Sequence, residues 1–170
     1  NPEESMALMN EFNSNRVLLQ ERMINAFETL KNFDQVDKNK TGAIGFCFGG
    51  KCALDLARSG EDIKGVVSFH GLYDSPTAST GKQLKGTLKI DSSILILHGY
   101  DDPMATPKSM IDLADELNSK KAKWQIHAYG NVGHAFTNPE ANQRENGLFY
   151  DQYADEHSWN EMKNFFSKIF

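Results

Sequence analysis

The chain has 170 residues, 39% of them hydrophobic and 24% charged, which fits one globular domain and excludes collagen-like, low-complexity and disordered classes. Eighteen Lys and Arg against 23 Asp and Glu give a net charge of −5 with no basic stripe, so no nucleic-acid partner is expected. No apolar run approaches the roughly 20 residues that span a bilayer, and Asn1-Pro2-Glu3-Glu4 has neither region of a signal peptide, so a cytoplasmic protein with no membrane partner is expected.

Residues 5–33 read as helix, broken once at Asn13-Ser14-Asn15, where Asn15 can cap a second segment. Val17, Leu18, Met23, Ile24, Phe27 and Leu30 give that segment one apolar face. Asp37 to Gly42 is a polar turn. Four short apolar runs follow, at 43–46, 65–69, 93–97 and 124–128, and read as strands. Helical patterns occupy Lys51 to Ser59, Lys108 to Lys120 and Asp155 to Phe170. Strands alternating with helices predict an α/β fold, a parallel sheet with helices on both faces, in a single domain over 1–170. Gly71 to Lys89 is the longest connection without a pattern, and it is expected to form part of a site wall.

The sharpest motif is Gly45-Phe46-Cys47-Phe48-Gly49-Gly50, where the first strand ends and a helix begins. The pattern Gly-x-Ser-x-Gly on such a turn is the nucleophile elbow of α/β-hydrolases, with Cys47 here in the serine's place. The turn presses strand and helix together, so the residues two before and two after the nucleophile are expected to be small. The backbone N–H of Phe48 is the expected oxyanion donor. Cys52, five residues on, reads as a core cysteine. Two cysteines are too few for a disulfide scaffold, and no Cys/His cluster has zinc spacing, so no metal or other cofactor is expected.

On this fold an acid and then a histidine must follow on later strand ends. The third strand runs into Asp101-Asp102-Pro103, and the fourth into Gly133-His134. Adjacent residues point in different directions, so one of Asp101 and Asp102 faces His134; the residues alone leave the choice open. Such a triad supports attack of a thiolate on an ester carbonyl, with His134 as base and the carboxylate fixing its tautomer. Among the other histidines, His127 lies within a strand, His157 opens the last helix, and His70 and His98 end strands; His70 is the rival for a site role.

These motifs, with Phe69-His70-Gly71, Leu97 to Pro103 and Gly133 to Pro139, resemble the dienelactone hydrolase family of α/β-hydrolases from about Gly42 onward. The resemblance implies Cys47 as nucleophile, His134 as base and Asp102, just before Pro103, as acid. Phe136 and Asn138 join His70 as candidates for the substrate pocket. Enzymes of the family that open dienelactone carry arginine where this chain has Asn138, which implies a less charged small ester, lactone or thioester as substrate. Family members place a much longer segment before the nucleophile. The chain is therefore expected to be a fragment or processed product lacking the first strands and the second oxyanion donor.

A hydrolase is thus expected, with a catalytically incomplete structural or interaction module as the alternative. In either case the 43–46 strand is expected to have an open edge. Homo-oligomerisation, association through that edge, or fold-back of residues 1–33 would cover it. A redox pair of Cys47 and Cys52 is disfavoured because the spacing is not Cys-x-x-Cys.

Overall fold

The computed structural model describes residues 1–76 and 89–170, so most of the long connection after Gly71 lies outside the described residues. Helix α1 (Pro2–Ser14) opens with a capping box: Asn1 accepts the Glu4 N–H while the Glu4 side chain reaches back to the cap. Asn15 stops it and caps α2 (Arg16–Lys31) by accepting the Leu18 N–H at 3.1 Å, so the break falls at the expected asparagine.

The four expected strands form one parallel sheet: β1 (Gly42–Phe46), β2 (Gly65–Phe69), β3 (Ser93–Gly99) and β4 (Lys123–Tyr129), in spatial order β1-β2-β3-β4. Helices α3 (Phe48–Arg58) and α4 (Pro107–Ser119) follow β1 and β3, and α5 (Gln152–Ile169) closes the chain. The whole of β2 is buried, as a strand covered on both faces must be. On one face Val66, Ile94 and Ile96 pack with Phe27 of α2, Leu54 and Ala57 of α3, and Leu113 and Leu117 of α4. On the other, Val67, Phe69, Leu95 and Leu97 pack with Ala154, Met162 and Phe165 of α5. The alternation of neighbours in each strand between two apolar layers follows from the strand period of two.

Among the described residues β1 is an edge strand, with Ile44 45% and Phe46 38% exposed. α2 packs on the face carrying α3, beside Ala43, and leaves Ile44 and Phe46 uncovered. No helix among the described residues is long and apolar enough to cross a membrane.

Two features have no counterpart in the sequence reading. A buried ion cluster joins three helices: Arg16 of α2 meets both oxygens of Asp55 on α3 at 2.7 and 2.8 Å. Arg58 of α3 adds bonds to Asp55 at 3.1 Å and to Glu116 of α4 at 2.7 and 3.0 Å. The second is a small antiparallel hairpin, β5 (Asn142–Gln143) and β6 (Leu148–Phe149), joined by a 3₁₀ turn over Arg144–Asn146.

Candidate active site

All four strands run parallel, so their carboxyl ends lie along one edge of the sheet, and each delivers a polar group there. Cys47 follows β1, His70 follows β2, Asp102 lies three residues past β3, and His134 lies in the loop after β4.

Cys47 has φ 52° and ψ −120°, a left-handed conformation that is strained for a residue with a side chain. Its N–H donates to the Phe69 carbonyl at 3.0 Å, tying the turn to β2. A Cβ on Gly45 would stand 2.0 Å from the Gly49 carbonyl oxygen, so the strand side of the turn admits glycine alone. On the helix side the tight position is Gly50, whose Cβ would stand 2.3 Å from Ser68 Oγ; the corresponding position on Gly49 is open. The spacing rule thus picked out the right turn but the wrong helix-side glycine.

Asp102, 2% exposed, is the carboxylate that faces His134, while Asp101 is exposed. His134 Nδ1 lies 2.7 Å from Asp102 Oδ2. The other oxygen, Oδ1, accepts the N–H groups of Met104 and Ala105 at 2.8 and 3.1 Å, which locks the carboxylate. The hairpin clamps the histidine's backbone: His134 N–H donates to Gly147 at 2.7 Å, and Phe149 N–H donates to His134 at 3.1 Å. This clamp went unseen in the sequence because two-residue strands show no alternation.

His134 Nε2 is buried and makes no well-formed hydrogen bond, to Cys47 or to another described group. The two groups still act strongly on each other. Burial pushes the Cys47 thiol up, but His134 and the Phe48 N–H outweigh it and hold the thiol below its ordinary value. Burial pulls the His134 imidazole down, but the bond to Asp102 and the approach of Cys47 push it up to about 9. Opposed shifts of this kind ease transfer of a proton from Cys47 to His134. Cys52 is half-buried on α3 and pushed the other way, to about 11, by burial and the Asp55 charge.

Of the pocket candidates, His70 is buried, with Nε2 2.9 Å from Thr137 Oγ1 and its ring 5.0 Å from that of His134. Phe136 is fully buried among Val67, Phe69 and Leu97 and stands edge-on behind His70 at 5.1 Å. Asn138 is exposed, and its side-chain oxygen accepts the Glu140 N–H; no described contact ties it to Cys47 or His134. Among the described residues no group of three or more His, Cys, Asp or Glu is arranged to hold a metal.

A parallel sheet with a strained strand-to-helix turn, a buried Asp–His pair on later strand ends and helices on both faces defines an α/β-hydrolase-type protein. The model of the dienelactone hydrolase family matches residues 1–170, and the chain belongs to that family. It is 36% identical to a dienelactone hydrolase-like promiscuous phosphotriesterase from metagenomic libraries, with a TM-score of 0.83 over 97% of this chain and 67% of that one. The solved structure m3DLH is 31% identical, with a TM-score of 0.86 over 100% of this chain and 69% of that one. An uncharacterized protein of Caenorhabditis elegans is 35% identical over 154 residues, which are 89% of this chain and 94% of the worm protein. Against curated bacterial relatives from Bradyrhizobium and Salmonella, the matched region covers only 46% and 47% of their lengths.

Proposed function

We propose that the chain carries the reacting centre of a hydrolase for small carboxylic esters, lactones or thioesters, with Cys47 as nucleophile, His134 as base and Asp102 as the acid that orients it. The observation that carries this reading is the 2.7 Å Asp102–His134 contact beside a thiol held below its ordinary pKa. The Cys47 thiolate attacks the substrate carbonyl, and the Phe48 N–H stabilises the oxygen as it gains charge. Collapse expels the alkoxide or thiolate, which takes the proton from His134 Nε2 and leaves a thioacyl-enzyme. His134 then removes a proton from water, whose oxygen attacks the thioester carbonyl. The acid departs, and Cys47 is left as the thiolate beside a protonated His134. With His70 held neutral and Asn138 in the place of arginine, a less charged substrate suits the site.

The exposed edge of β1 favours a second reading, in which the chain serves as a structural or interaction piece of this fold. Turnover of p-nitrophenyl acetate by the 170-residue chain, set against Cys47→Ala, separates the two. Hydrolysis lost in Cys47→Ala supports the enzyme; equal background rates in both leave the interaction piece.

A further inference from the structure

His70 is the imidazole that the proposed chemistry leaves over. It follows β2 directly, and β1 and β2 run in register as Phe46↔Phe69, so His70 and Cys47 stand side by side at the sheet edge. The residue is 4% exposed and held at φ 37°, a costly backbone for a histidine. That cost must be offset by contacts the side chain makes from this position.

Those contacts converge on one loop. Nε2 lies 2.9 Å from Thr137 Oγ1. The ring stands edge-on to His134 at 5.0 Å and 67°, and to Phe136 at 5.1 Å and 79°. His70 thus touches three residues of the turn that presents His134. Asp102 fixes the far end of the His134 ring through Nδ1, and the hairpin fixes its backbone. His70, held by its bond to Thr137, packs against the ring from a third side.

We propose that His70 is a positioning residue: hydrogen-bonded to Thr137, it sets the tilt of the His134 ring and so the aim of Nε2 at Cys47. The role rests on reading Cys47 and His134 as the reacting pair. Burial and the His134 charge hold the His70 imidazole down to about 4, against the opposing pull of Asp102, so it carries no charge that would compete for the thiolate. A histidine that only filled space would affect stability and leave the Cys47 titration alone.

The test is the pH dependence of Cys47 alkylation by iodoacetamide, with the labelled site assigned by mass spectrometry. His70→Asn keeps a residue that adopts positive φ, yet its shorter side chain cannot reach Thr137. Thr137→Val removes the same bond from the other side, and Thr137→Ser restores it. In His70→Asn and Thr137→Val the Cys47 midpoint should rise and its labelling near pH 7 fall about tenfold, the effect of one pKa unit. Thr137→Ser should match the parent in both the Cys47 midpoint and the melting temperature. A Cys47 midpoint that stays low and unmoved in both variants overturns the role of His70 alone. A parent chain in which Cys47 titrates as high as Cys52 overturns the reacting pair and this role with it.

Discussion

Cys47 and Cys52 stand at the start and in the second turn of the same helical segment, yet their thiols are shifted in opposite directions. Both are partly buried, so burial raises both. The difference lies in the partners: Cys47 meets His134 and the Phe48 N–H, whereas Cys52 meets the Asp55 carboxylate. With Cys52 near 11 and Cys47 below its ordinary value of 9, their thiolate populations at pH 7 differ by at least ~100-fold. Brief alkylation at pH 7 should therefore mark Cys47 first. Preferential marking of Cys52 would contradict the arrangement.

Asp102→Asn should lower ester turnover by about 10³–10⁴-fold, because an amide can hold His134 in the wrong tautomer. Asp101→Asn, at an exposed position without contact to His134, should change it less than about twofold. Steady-state rates of the two variants check the choice of acid. Equal losses would be incompatible with the 2.7 Å contact acting alone.

The raised His134 pKa links stability to pH. A group whose folded pKa lies above its unfolded value, here about 9 against 6.5, adds stability that is complete below 6.5 and lost as pH rises through 9. The parent chain should lose more stability between pH 6.5 and 9.5 than His134→Gln does. Denaturation midpoints measured across that range give the comparison, and parallel curves would remove the linkage.

Gly45→Ala should prevent the turn from forming, since its new methyl would meet a backbone carbonyl at 2.0 Å that cannot move aside. Gly49→Ala, where the space is open, should be tolerated and gain about 0.5–1 kcal/mol from helix propensity. Expression and urea midpoints of the two variants read the difference directly.

Asp55→Ala should cost about 3–5 kcal/mol, because it leaves the buried Arg16 and Arg58 side chains without their shared carboxylate. Substitution of exposed Asp112, paired with Lys108 on the surface of α4, should cost less than about 1 kcal/mol. Similar losses at both positions would mean that the cluster is not acting as a buried unit.

What the sequence disclosed was local or periodic. The strand-to-helix turn at 45–50 is written in consecutive residues, and the four strands and three later helices in their apolar spacing. Asp102 and His134 were legible as strand-end residues because a parallel sheet brings every strand end to one edge. Choosing Asp102 over Asp101 needed the family pattern, since neighbouring aspartates look alike until the turn directs them. The ion cluster was hidden because Arg16, Asp55, Arg58 and Glu116 come together only when three helices pack. The bond from His70 to Thr137 spans 67 positions and carries no motif. Gly50 rather than Gly49 meets the neighbouring strand because the rotation of α3 about its own axis decides which glycine faces inward.

The order of the strands has a consequence for synthesis. Each strand's neighbour in the sheet is also its neighbour in the chain, so pairing can advance as the polypeptide leaves the ribosome, without waiting for a distant partner. The Cys47 turn emerges well before His134, and the clamp on His134 is completed only by Gly147 and Phe149. A nascent chain stalled ahead of Gly147 would present Cys47 before the loop that carries His134 is clamped. On the proposed chemistry its thiol would react like an ordinary cysteine until that loop closes, a step that comes after the last strand of the sheet, β4, has been made.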